Sequence, residues 1–148
     1  MKVKNDSPVA VWKSSDQPRG GTYGARTCSP VLDKDYFYVV CDNETLCCLD
    51  VKTGKPMWKQ GGFGAGSWAA GLIKADGVLF VMNYKDSAVV MVQPTPTGYV
   101  ELGRLPSQRK DKVVVAPALA DKKLYIRTYL YLTCVDLSPD IPPTRPSN

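Results

Sequence analysis

The side chains that could do chemistry here are fourteen acids, five cysteines, eight tyrosines and nineteen basic groups, with no histidine. The missing histidine removes Ser-His-Asp triads, Cys-His nucleophile pairs and imidazole metal sites. Most acids, among them Asp33, Asp35, Asp42, Asp76, Asp86 and Asp121, stand in turn-type clusters, where a solvated turn is the plain reading. No two carboxylates have a spacing that suggests paired general acid–base work, and no Gly-x-x-x-x-Gly-Lys phosphate loop occurs. Cys28, Cys41, Cys47, Cys48 and Cys134 are an odd count, so they cannot all pair internally. None forms a Cys-x-x-Cys pair, which excludes zinc-ribbon and thioredoxin-like sites. Cys47 and Cys48 are adjacent, and adjacent strand residues point to opposite faces. Each then reads as a small apolar filler; a vicinal disulfide would need a turn at that place.

Binding is better served than catalysis. Two glycine-rich stretches, Gly20-Gly21-Thr22-Tyr23-Gly24 and Gly61-Gly62-Phe63-Gly64-Ala65-Gly66, carry or adjoin side chains that suit a ligand surface. The candidates are Tyr23, Arg26, Phe63, Ser67 and Trp68, with Arg109 in a third loop. The net charge of +5 is mildly basic. Its one local concentration, Arg104 to Lys112, is interrupted by Asp111, so a nucleic-acid footprint is not expected. No apolar run approaches the ~20 residues of a membrane-spanning helix. The first six residues, Met1 to Asp6, are polar and show no signal-peptide core.

These loops are positioned by a repeat. Its first copy runs from Cys28-Ser29-Pro30-Val31-Leu32 through Tyr36-Phe37-Tyr38-Val39-Val40 and Leu46-Cys47-Cys48-Leu49-Asp50 to Pro56-Met57-Trp58. Turn clusters at Asp33–Asp35, Asp42–Glu44 and Lys52–Lys55 separate four short apolar runs, the pattern of a four-stranded meander. A second copy runs through 68–73, 78–81, 88–92 and 99–102, and a third through 115–119, 124–127 and 130–136. The aromatics of the second strands, Tyr38, Phe80 and Tyr125, are 42 and 45 residues apart. Four strands in ~40–45 residues is the period of a propeller blade. The expected fold is all-β: about three four-stranded antiparallel blades, over 26–60, 67–104 and 112–137, in a partial β-propeller spanning 1–137. A lone strand at 9–13 precedes them, with Trp12 standing 46 residues before Trp58 as if it ended an earlier blade. The third copy lacks a fourth strand, and 138–148, with four prolines, reads as a disordered tail.

The segment Leu49-Asp50-Val51-Lys52-Thr53-Gly54-Lys55-Pro56-Met57-Trp58 resembles the repeat of the quinoprotein, or pyrroloquinoline-quinone-like, β-propeller family, whose docking motif reads roughly Ala-x-Asp-x-x-Thr-Gly-x-x-x-Trp. Asp50, Thr53, Gly54 and Trp58 match it, and Leu49 replaces the alanine. The physical logic stands without the family. Asp50 ends a strand, Thr53-Gly54 makes the turn, and Trp58 fills the space between blades.

The resemblance covers about Pro8–Leu137 and looks like the C-terminal blades of a longer member. Dehydrogenases of that family bind a quinone with calcium, yet none of their ligands carries over to a residue here, so no cofactor is expected. The family's extracytoplasmic habit implies a periplasmic or exported protein. The reading that follows is a non-catalytic scaffold that binds a protein partner, further blades or another copy of itself. The alternatives are a fragment of a pyrroloquinoline-quinone-dependent dehydrogenase and a small carbohydrate- or peptide-binding module.

Overall fold

The computed structural model describes residues 11–12, 28–41, 44–64, 71–106, 111–112 and 115–138. Eleven strands and no helix occupy them: β1 (Val31–Asp33), β2 (Tyr36–Cys41), β3 (Thr45–Asp50), β4 (Pro56–Gly61), β5 (Leu72–Ala75), β6 (Val78–Asn83), β7 (Ala88–Val92), β8 (Glu101–Pro106), β9 (Ala118–Ala120), β10 (Lys123–Arg127) and β11 (Leu132–Asp136). They form three antiparallel sheets of consecutive strands, β1–β4, β5–β8 and β9–β11. No helix is long and apolar enough to cross a membrane among these residues.

The three sheets repeat one register. Tyr38 stands opposite Cys48, Phe80 opposite Met91 and Tyr125 opposite Cys134. Even the irregularity recurs: the pairing slips between Cys48 and Leu49 in the first sheet and between Met91 and Val92 in the second. Side chains alternate across each sheet, and the middle strands of the first two sheets, β2, β3, β6 and β7, are apolar on both faces. Leu79, Val81, Val90 and Val92 join the core shared with the first sheet, whereas Phe80, Met82 and Val89 join Leu124 and Ile126 of the third. Near-continuous apolar runs such as Val78–Met82 and Ala88–Val92 follow from that double burial.

Strand positions depart from the sequence reading at the outer and inner edges. The fourth strand of the second copy is Glu101–Pro106 rather than 99–102, and the fourth strand of the first extends to Gly61. The first strands of the second and third copies begin later than expected, at Leu72 and Ala118. The last strand begins at Leu132, with Leu130 and Tyr131 in the preceding turn. Outer strands are only half covered, so Lys59, Gln60, Gly103 and Arg104 can join the ladder without an apolar signal. Of the lone strand expected at 9–13, only Val11 and Trp12 are described; of the proline-rich tail, only Ser138 is.

Candidate functional site

The expected docking motif is built as follows. Asp50 Oδ1 accepts hydrogen bonds from the amides of Lys52 (3.0 Å) and Thr53 (2.8 Å) and from the Thr53 hydroxyl (2.8 Å). These bonds, the Thr53 hydroxyl first, hold the Asp50 carboxyl below its ordinary range. The Gly54 amide donates to the Asp50 carbonyl at 2.8 Å with φ of +68°, a conformation that suits glycine.

Glycine is needed for space as well. A Cβ at Gly54 would lie 2.5 Å from Cε3 of Trp12, whose indole N–H donates to the Val51 carbonyl at 2.8 Å. Trp58 repeats this one sheet later: its N–H donates to the Thr95 carbonyl at 2.7 Å while its ring meets Tyr38 and Tyr99. Each tryptophan thus docks on the turn of the sheet that follows it in the chain. Gly103 occupies the equivalent place in the second sheet, opposite Met91 as Trp58 is opposite Cys48, so this contact is not repeated.

The opposite end of the sheets carries the second–third strand turns and the loops between blades. Phe63 donates its amide to the Glu44 carbonyl (3.1 Å) and accepts from the Tyr84 amide (3.0 Å), tying the first two turns together. Lys112 does the same one blade later. Its carbonyl accepts from the Tyr129 amide (3.2 Å), and its Nζ donates to the carbonyls of Tyr84 and Lys85, both at 3.0 Å. The ammonium also lies 5.0 Å from the centre of the Tyr84 ring. Asp111 caps the third turn by accepting from the Leu130 amide at 2.8 Å. The Thr128 hydroxyl, then the Leu130 and Lys112 amides, keep its carboxyl below the usual range.

Of the six loop candidates, Tyr23, Arg26, Ser67, Trp68 and Arg109 lie outside the described residues. Phe63 is described, and its ring is buried. It is 3% exposed, edge-on to Tyr99 at 6.1 Å, within the core of the first junction. The flanking Gly62 and Gly64, with φ of +94° and +53°, turn the chain so that the ring points inward.

The exposed feature of this rim is instead Tyr129-Leu130-Tyr131-Leu132, with Leu130 75% exposed. Those residues, with Arg127 and Thr128, line a shallow depression of about 280 Å³, below the ~300–1,000 Å³ of enclosed small-molecule sites. The signal was present in the sequence. Aromatic and leucine side chains stand where the first two copies have Asp42-Asn43-Glu44 and Lys85-Asp86-Ser87.

Among the described residues no three acid or thiol groups gather as a metal site. Several described carboxylates are held in ion pairs: Asp86 and Glu101 with Arg104, Asp33 with Lys74 and Asp35 with Lys52.

No protein-family profile and no curated protein sequence matches this chain. Solved structures do. BamB from Moraxella catarrhalis superimposes with a TM-score of 0.61 at 15% identity over 73% of this chain. The described residues fold as consecutive blades of a β-propeller. The quinohemoprotein alcohol dehydrogenase ADHIIG of Pseudomonas putida HK5 gives 0.61 at 15% identity over 75% of this chain. The quinohemoprotein alcohol dehydrogenase of Comamonas testosteroni gives 0.56 at 18% over 71%. The propeller segment described here spans 32% of that BamB chain and 19% and 17% of the two dehydrogenases.

Proposed function

We propose that this chain is a non-catalytic propeller segment that acts as a protein-interaction scaffold through the rim around Tyr129–Leu132. The observation that carries this reading is the exposure of four consecutive large apolar side chains on a turn that is itself tightly fixed. Thr128 and Tyr131 exchange hydrogen bonds through amide, hydroxyl and carbonyl at 2.9–3.2 Å, and Asp111 caps the same turn. A rigid turn presenting tyrosine and leucine loses little conformational entropy on contact, and interface centres favour such residues. The likenesses to BamB and to the two dehydrogenases support the fold and are compatible with the scaffold and the dehydrogenase readings alike.

A photo-crosslinking residue placed at Leu130 is expected to give discrete protein adducts in the native host, while the same residue at Thr97, on the opposite end, gives none. Equal labelling at both ends would sink the scaffold reading. In this reading the chain works without a cofactor. Quinone absorbance retained after incubation with pyrroloquinoline quinone and calcium, then desalting, would move the assignment to the dehydrogenase class.

A further inference from the structure

Cys41 ends β2 and Cys47 lies in β3, and the ladder between these strands fixes their relation. Cys41 stands opposite Thr45, and Val39 stands opposite Cys47. Residues opposite one another, and residues two apart on a strand, share a face. The two thiols are therefore diagonal neighbours on one face of the first sheet. Both are buried, and the Cys41 thiol donates to the Cys47 sulfur at 3.6 Å.

The other cysteines are placed differently. Cys48 stands opposite Tyr38 on the reverse face, so its sulfur is turned away from that of Cys47. The Cys28 thiol donates to the Ser29 carbonyl at 3.6 Å, and Cys134 is exposed in the third sheet. A disulfide needs its sulfurs about 2.05 Å apart. The Cys41–Cys47 pair already has its sulfurs in contact.

The chemistry of the pair is unequal. The hydrogen bond from Cys41 holds the Cys47 thiol below its ordinary range against the opposing effect of burial, and Lys59, opposite Cys47 in β4, adds to it. Burial pushes the Cys28 and Cys48 thiols up. The thiolate is the attacking species in disulfide exchange, so Cys47 is the nucleophile.

The end of this hairpin also anchors its surroundings. The Cys41 carbonyl accepts from the Glu44 amide at 3.1 Å, the Glu44 carbonyl accepts from Phe63, and the Phe63 carbonyl accepts from Tyr84. A covalent bond between β2 and β3 at this level would fix the first link of that chain.

We propose that Cys41 and Cys47 are a disulfide site, and that oxidation joins their sulfurs and locks the turn between β2 and β3. The oxidant is a small-molecule disulfide such as oxidised glutathione. The Cys47 thiolate attacks one of its sulfurs and expels a glutathione thiolate. Cys41 then gives up its proton, attacks the Cys47 sulfur of the mixed disulfide and expels the second glutathione. Two protein thiols are oxidised, one glutathione disulfide is reduced to two thiols, and the two protons pass to them. Both sulfurs are buried in the fold, so exchange takes place while the hairpin is open, and the native contact selects the pair. This site is independent of the scaffold role of the rim.

The test is to refold the full chain from urea in oxidised and reduced glutathione, then to alkylate the remaining thiols in acid-quenched samples. Trypsin cuts after Lys34 and Lys52, and a glutamyl endopeptidase cuts after Glu44, which parts Cys41 from Cys47 and Cys48. Mass spectrometry is expected to find the fragments 35–44 and 45–52 joined, with the alkylated thiol at Cys48, and to find them separate after reduction. The oxidised protein should also unfold at a higher urea concentration than the reduced one, modestly because the closed loop is short. Separate fragments with all three thiols alkylated, a bond through Cys48, or glutathione left on Cys41 or Cys47 overturns the proposal. An oxidised protein with a lower urea midpoint than the reduced one does so too, because the bond would then be forced against the fold.

Discussion

The junction between the first and second sheets and the junction between the second and third share one backbone register and differ in chemistry. The first has Trp58 hydrogen-bonded to Thr95, the aromatic series Tyr38, Trp58, Tyr99 and Phe63, and the Asp33–Lys74 ion pair. The second has Gly103 in place of the tryptophan and Ala75 with Leu119 in place of the ion pair. It relies on a smaller set of buried residues, Phe80, Met82, Val89, Leu124 and Ile126, and on Lys112 bridging the rim. Repeat arrays gain stability from each unit and each interface, so the third sheet is the more weakly held. The part of the chain that presents the exposed rim is also the part with the lighter attachment.

The comparison breaks most directly at Trp58. Trp58→Ala removes the ring and leaves the Thr95 carbonyl without its donor. A loss of about 3 kcal/mol is expected, the low end of the ~3–5 kcal/mol range for such truncations because the ring is partly exposed. Urea unfolding followed by circular dichroism measures it. Leu124→Ala, at the second junction, should cost a similar ~2–3 kcal/mol, but locally. Amide exchange should then accelerate in β9–β11 and stay unchanged in β2 and β3. Uniform acceleration across all three sheets would mean that the two junctions unfold as one and would remove the contrast.

Gly54→Ala tests the docking turn itself. A left-handed conformation costs a non-glycine residue about 1–2 kcal/mol, and the added Cβ would displace the Trp12 ring. A red shift of tryptophan emission should accompany the destabilisation. Lys112→Met removes the two carbonyl contacts and the approach to Tyr84 while keeping the stem. We expect a loss of about 1 kcal/mol, in the usual range for a hydrogen bond, with faster exchange at the Tyr129 amide.

Much of this architecture was legible because its causes are local and periodic. The 42- and 45-residue spacing of Tyr38, Phe80 and Tyr125 reappears as one ladder register, and the Asp50-Thr53-Gly54-Trp58 spacing encodes a turn that satisfies its own hydrogen bonds. The outer strands were misplaced because half-covered strands accept Gly103, Arg104 and Gln60 without an apolar pattern. The loop side chains are less legible than the fold. Phe63 sits in a glycine-rich loop, and composition alone cannot say on which side of the loop its ring lies; the backbone at Gly62 and Gly64 decides that. Lys112 stands in the charge run from Arg104 to Lys112, yet its ammonium is committed to two carbonyls that meet only when consecutive blades pack. Leu132 is exposed because, among the described residues, no further sheet packs on that face of the third.

The smallest effect sharpens the comparison by being shared. Asp50 in the first sheet and Asp136 in the third end equivalent strands, and each accepts a backbone amide two residues on: Lys52 at 3.0 Å and Ser138 at 2.8 Å. The Asp136 carboxyl is lowered first by the Ser138 amide, as that of Asp50 is lowered first by the Thr53 hydroxyl. A carboxyl whose folded pKa lies below its unfolded value stabilises the fold at pH above the unfolded value, near 4. That contribution is lost as pH falls through the lowered folded pKa. Stability should therefore decline on acidification below about pH 4. Asp50→Asn and Asp136→Asn should each flatten the decline by a comparable small amount, read from urea midpoints between about pH 4 and pH 2.5. If only the first-sheet variant flattens it, the third sheet is already released under those conditions. The turns would then be equal in chemistry, and the inequality would belong to the junctions.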